Sequence, residues 1–146
     1  MMLFEVGVRM ERTLESGKVA KVVEQFVVDA LSFTEAETRI ISEVGAYGTD
    51  IEVLTMKRSR CAEIIGDSCK GKWFKAKVNY MTIDEKTNKV NKTPHYYFVN
   101  ADSIAEAKSK VDDFFKETLI DYSIATLDET KVLEVFRHNL NANNED

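Results

Sequence analysis

The chain has 146 residues, enough for one ordinary domain or two very small ones sharing a core, and 44% of them are hydrophobic, enough to bury an interior. With 25 acidic against 20 basic residues, the net charge of -5 and a pI near 5.2 exclude a wholly basic, duplex-coating protein. No apolar run approaches the roughly 20 residues of a membrane span, and Glu5 and Arg9 interrupt the opening segment as a signal-peptide core, so a cytoplasmic protein is expected.

At the front, Phe4, Val6, Val8 and Met10 alternate with Glu5, Gly7, Arg9 and Glu11, the period of a strand with one buried face. Gly17, within residues 15–18, supplies a tight hairpin, and the returning strand over about 19–29 is apolar on both faces around Phe26, Val27 and Val28. Ser32 and Glu35 fit a capping box, in which each side chain satisfies an orphan amide at a helix start. Phe33, Ala36, Ile40 and Val44 then recur at helical spacing, and Gly45 and Gly48 help to end the helix. A strand over 50–57 follows, and the short apolar segment 61–65 reads as a final strand or a helical turn, the strand being favoured.

The same series then returns. Phe74, Ala76, Val78 and Tyr80 alternate, residues 84–89 form a longer polar turn, and a strand over 93–100 centres on Tyr97, Phe98 and Val99. Ser103 with Glu106 repeats the capping box, Ile104, Ala107, Val111 and Phe115 repeat the helical stripe, and a strand over 121–128 with the segment 132–136, a strand or a helical turn like 61–65, closes the copy. Residues 139–146 are polar and are expected to fray.

At a separation of 71 residues, Val28/Val99, Ala30/Ala101, Ser32/Ser103, Glu35/Glu106 and Ala36/Ala107 are identical, as are Asp50/Asp121 and Thr55/Thr126. Chance predicts about one identity over the stretch that holds the first five. The pattern implies internal duplication of a β-β-α-β(-β) unit, residues 3–68 and 73–138, fused into one domain of the α+β class with a mostly antiparallel sheet or pair of sheets. Such a chain imitates a two-fold homodimer, so matching surfaces should be related by a pseudo-dyad, and association of two copies stays open.

No P-loop, dinucleotide glycine loop, nucleophile elbow or zinc-binding pair is present, which points to a non-enzymatic protein with no catalytic residues, cofactor or metal. The duplicated Asp50/Asp121 and Glu63/Glu134 could be paired carboxylates, but an aspartate between a helix and a strand reads better as a turn residue. Cys61 and Cys69 lack a ligand spacing, and His95, beside Tyr96 and Tyr97, reads as structural, with His138 near the tail. The segment 57–77 stands apart, with seven cations against two acids; its +5 leaves -10 for the rest of the chain. Trp73, Lys75 and Lys77 share one face of their strand, with Tyr96 and Phe98 on the neighbouring one. A basic sheet face with aromatics suits single-stranded nucleic acid, phosphates on lysines and bases on rings. Alternatively, the rings pack beneath the second helix and the lysines protect the sheet edge.

The segments EQFVVDALSFTEAETRI, WFKAKVNYMTIDEKT and IDYSIATLDETKVLEVF resemble an uncharacterised family, a domain of unknown function, of small proteins from bacteroidetes-type bacteria and their phages. That resemblance spans nearly the whole chain and implies an origin in a bacterial host cell. It implies no catalytic residues, and the first copy, opening with MMLFEV, has no counterpart of Trp73. The first functional expectation is a phage or mobile-element accessory that contacts single-stranded nucleic acid through Arg58, Trp73, Lys75, Lys77 and Tyr96. The other is a protein-protein interaction module, an inhibitor or assembly factor acting on a host or viral protein.

Overall fold

Twelve-residue strands pair along their full length to begin each half: β1 (Met2–Thr13) with β2 (Val19–Ala30), and β5 (Lys72–Ile83) with β6 (Val90–Ala101). These come from a computed structural model that describes residues 2–66 and 71–138. The first turn uses Gly17 at φ +84°, where a side chain would be strained, and closes with Gly17 N–H donating to the Leu14 carbonyl at 2.9 Å. The longer turn places Asn88 at φ +55°, and the Asp84 carboxylate accepts from the Lys86 amide at 2.8 Å.

Helix α1 (Phe33–Val44) follows the first hairpin and α2 (Ile104–Phe115) the second. Each starts as its sequence predicts: Ser32 Oγ accepts from the Glu35 amide at 3.1 Å, and Ser103 Oγ from the Glu106 amide at 3.2 Å. The glutamates reach one residue further back than a capping box requires, accepting from the Leu31 and Asp102 amides rather than from the serines' own. Strands β3 (Thr49–Arg58) and β7 (Tyr122–Glu129) then pair antiparallel with β1 and β5. The two short apolar segments are strands, β4 (Cys61–Ile65) and β8 (Val132–Phe136).

Two four-stranded sheets result, ordered β3-β1-β2-β8 and β4-β6-β5-β7, and with two helices they make an α+β fold. The compact units are Met1–Ser59 with Val132–Asp146, and Arg60–Lys131. They divide the chain differently from the sequence repeat. β8, which ends the second copy, pairs parallel with β2, while β4, which ends the first, pairs parallel with β6. Each sheet is thus completed by the other copy's last strand.

Within the first unit, Phe4, Val6, Val8, Phe26 and Val28 pack with Ala36, Ile40 and Val44 of α1. Within the second, Phe74, Ala76, Val78, Tyr97 and Val99 pack with Ala107, Val111 and Phe115 of α2. The leading residues of both helical stripes, Phe33 and Ile104, stay largely exposed.

Where strand passes to helix, the units differ. Asp29, largely buried, is ion-paired with Arg39 of α1, and both its carboxylate oxygens accept the His138 amide, at 2.9 and 3.1 Å. In the second unit the same position is the neutral Asn100, whose carbonyl accepts from Lys110 at 2.6 Å and whose side-chain amide donates to the Lys72 carbonyl at 3.2 Å. The polar tail expected over 139–146 lies outside the described residues.

Candidate functional site

Of the five residues expected to contact nucleic acid, Arg58 lies exposed on β3 in the first unit, opposite Phe4. Trp73, Lys75, Lys77 and Tyr96 belong to the second unit. Trp73 is only 4% exposed, so its ring is not offered to a base. Nor does it pack beneath α2. Strand alternation gives that place to Phe74 and Tyr97 and turns Trp73, Tyr96 and Phe98 to the opposite face. Phe98 is fully buried there, with the Lys75 ammonium 5.3 Å from its ring centroid. The half-buried lysine thus lies over the aromatic surface. Lys77 and Tyr96, paired across β5 and β6, are half-buried, and Arg60 lies 5.9 Å from the Tyr96 ring centroid. What remains of the expected face is a short basic strip.

The other singled-out residues are divided between the two units. Asp50 sits at φ +53°, a left-handed conformation that aspartate tolerates better than most residues, beside Arg9 and Glu52 in a polar recess. Asp121 lies in the other unit, where its carbonyl accepts from the Met81 amide at 2.8 Å. Glu134 accepts from the Tyr47 hydroxyl at 3.1 Å, while Glu63, on β4, lies in the second unit. His95 stacks on Tyr80 with ring centroids 3.7 Å apart, and Cys61 is buried. Cys69 lies outside the described residues.

A groove that single-residue reading missed lies in the second unit between the first half of α2 and β7. Ile104, Ala105 and Lys108 line it from the helix, and Ile124, Ala125, Thr126 and Leu127 from the strand. Its volume is about 350 Å³, at the small end of ligand-sized clefts, and its walls are mainly apolar. β7 is the outermost strand of its sheet, so one side of its backbone has no strand beside it in that sheet. Opposite Lys77 and Val78 the register slips, leaving Ala125 as the extra residue of a β-bulge.

One polar linkage fixes the groove's walls. Tyr122 of β7 donates its hydroxyl to Asp112 of α2 at 2.7 Å, and Lys108 donates to the other oxygen of the same carboxylate at 2.9 Å. The hydrogen bonds from Lys108 and Tyr122 hold the Asp112 carboxyl below the usual carboxylate range. The bond to Asp112, with some burial, pushes the Tyr122 hydroxyl up. Deeper in this unit, burial followed by the hydrogen bond with Tyr80 pushes the Tyr97 hydroxyl up as well, as suits a packing group that stays neutral.

The signal for the groove was present in the repeat. At the separation of 71, Thr34 aligns with Ala105, Glu37 with Lys108 and Leu54 with Ala125. Two of these positions are smaller in the second copy and the third reverses its charge. Phe33, the counterpart of Ile104, instead turns its ring edge-on to Phe4 at 4.9 Å.

Among the described residues no helix is long and apolar enough to cross a membrane. The chain belongs to the family described as domain of unknown function (DUF4494), whose model matches residues 2–138. No curated protein and no solved structure matches it.

Proposed function

We propose that this member of the family is a non-enzymatic protein-interaction module that docks a polypeptide in the groove between α2 and β7. The observation that carries this reading is an apolar cleft of about 350 Å³ beside an outermost strand, the combination that peptide-binding sheets use to add a strand and seat its side chains. The proposed setting is the cytoplasm of a bacterial host, with the chain as a phage or mobile-element accessory acting as inhibitor or assembly factor on a host or viral protein. A photocrosslinking residue at Ala125 should then give discrete polypeptide adducts in cells, lost when Ala105→Trp fills the cleft. The same residue at Glu85, in the exposed turn of the second hairpin, should give none of them. Adducts common to both positions, or adducts made only with nucleic acid, would overturn the reading.

One observation favours a second reading, contact with the backbone of single-stranded nucleic acid: Lys75 and Lys77 stand at alternate positions of β5, with the half-exposed Tyr96 opposite Lys77. With Trp73 buried, such contact would be made mostly through phosphate and would weaken steeply with salt. Fluorescence anisotropy with labelled single-stranded DNA and RNA, comparing the chain with a Lys75→Glu/Lys77→Glu variant across a salt series, decides it. Binding that collapses in the variant supports it, and no binding even at low salt ends it.

A further inference from the structure

The groove also indicates what kind of polypeptide would fit it, an inference that rests on the docking reading just given. We propose that it takes an extended, acidic segment of a partner protein, added as a fifth strand along β7. One aliphatic side chain seats between Ala105 and Ala125, and a carboxylate meets Lys108.

Three observations carry this. The outermost position of β7 offers backbone groups to an extended chain, and the mainly apolar cleft beside it accepts a side chain from alternate positions of that chain. Second, the two copies of the duplicated unit differ at the cleft in a consistent sense. Where the first carries Thr34, Leu54 and the acid Glu37, the second carries the smaller Ala105 and Ala125 and the base Lys108, making room for a side chain and for negative charge. Third, the acidic surplus lies elsewhere. The second unit holds twelve basic and twelve acidic residues, whereas the first holds eight and thirteen. An acidic segment therefore meets no net repulsion from the unit that binds it.

Charge also sets the direction of the fit. The bond from Tyr122 to Asp112 places the start of β7 beside the second half of α2, so Leu127 lies towards Ile104. Asp128 and Glu129 follow at that end and disfavour a carboxylate there. At Lys108 the present partner is Asp112, one turn along the same helix, and both side chains are well exposed. Such pairs are weak, so the ammonium can turn to an incoming acid.

The test pans a random dodecapeptide display library against the full chain, discarding sequences that also bind an Ala125→Trp variant. Both Ala125 and Lys108 are exposed, so substitutions there leave the core alone. Groove-dependent sequences should share an aliphatic residue with Asp or Glu close beside it. A synthetic copy of the best one should lose about tenfold in affinity to Lys108→Glu and as much to Ala105→Trp, and nothing to Glu37→Lys in the other unit. Groove-dependent sequences that are neutral or basic, or that ignore Lys108→Glu, would overturn this inference and leave the docking reading standing. If no sequence depends on the groove, both fall.

Discussion

The two units share their element types, their caps and the spacing of their core residues, yet they differ in the side chain at the junction of strand and helix. In the first, Asp29 gathers an ion pair from Arg39 and the backbone amide of His138, with the His138 ring 3.5 Å from Glu35. In the second, the Asn100 side chain donates to the Lys72 carbonyl and Lys110 donates to the Asn100 carbonyl. The strand carbonyl accepts from a cation of the helix in both units, Arg39 in one and Lys110 in the other, so the difference lies in the side chain beside it, a carboxylate at 29 and a neutral amide at 100. Charge at Asp29 ties down the chain end that leaves β8, which in the second unit would correspond to the end of β4. There Gly66 stands close instead: a Cβ on it would lie 3.3 Å from Asn100 Cβ, and its φ is +95°.

Four measurements break or sharpen that comparison. The largest effect should be shared. Phe4 and Phe74 occupy equivalent buried sites, so Phe4→Ala and Phe74→Ala should each cost about 3–5 kcal/mol in urea unfolding followed by circular dichroism. Trp73, the single tryptophan, gives a fluorescence probe inside the second unit. Losses that differ by more than about 2 kcal/mol would show that the cores are not equivalent. The junctions should then separate: Asp29→Ala should cost about 2 kcal/mol by removing the ion pair and the acceptor of the His138 amide while Arg39 keeps the Asp29 carbonyl, and Asn100→Ala only about 1 kcal/mol. Equal costs would remove the distinction drawn between them. Ser32→Ala and Ser103→Ala should each cost about 1 kcal/mol in thermal or urea melts, matching because the caps match.

The smallest effect concerns the groove. Asp112→Asn should bring the Tyr122 hydroxyl down towards its usual value, read by following tyrosine ring resonances against pH. The sign for stability follows from the depressed carboxyl: its contribution is present above the unfolded value of 3.8 and is lost as pH falls through the lower folded value. Because the pair is exposed, the acid limb should move only slightly between wild type and variant. A large shift would mean that Asp112 holds more than the groove wall.

Much of this was legible in the residues. Alternation at Phe4 to Met10 and Phe74 to Tyr80, and the serine and glutamate pairs at 32/35 and 103/106, placed hairpins and helices close to where they stand, because those signals are local. The exchange of β4 and β8 was not legible. A five-residue apolar strand fits either sheet by composition, and its partner is chosen by register with β6 or β2, which no local pattern encodes. Trp73 shows the same limit: alternation told which face it occupies, while its burial depends on the whole fold. The cleft needed one more step, because Ala105 and Ala125 are unremarkable until set against Thr34 and Leu54.

Strand exchange also gives the chain a timetable. The second unit is continuous, whereas the first is interrupted by 72 residues and receives β8 only after them. At about 5–20 residues per second, a ribosome leaves β2 without its parallel neighbour for roughly 4–15 s after β3 has emerged. Throughout that interval the nascent sheet presents a bare edge to other chains, and the Asp29 carboxylate waits for the His138 amide. A message that stops short of residue 132 would release a protein whose second half is whole and whose first half is still open along β2.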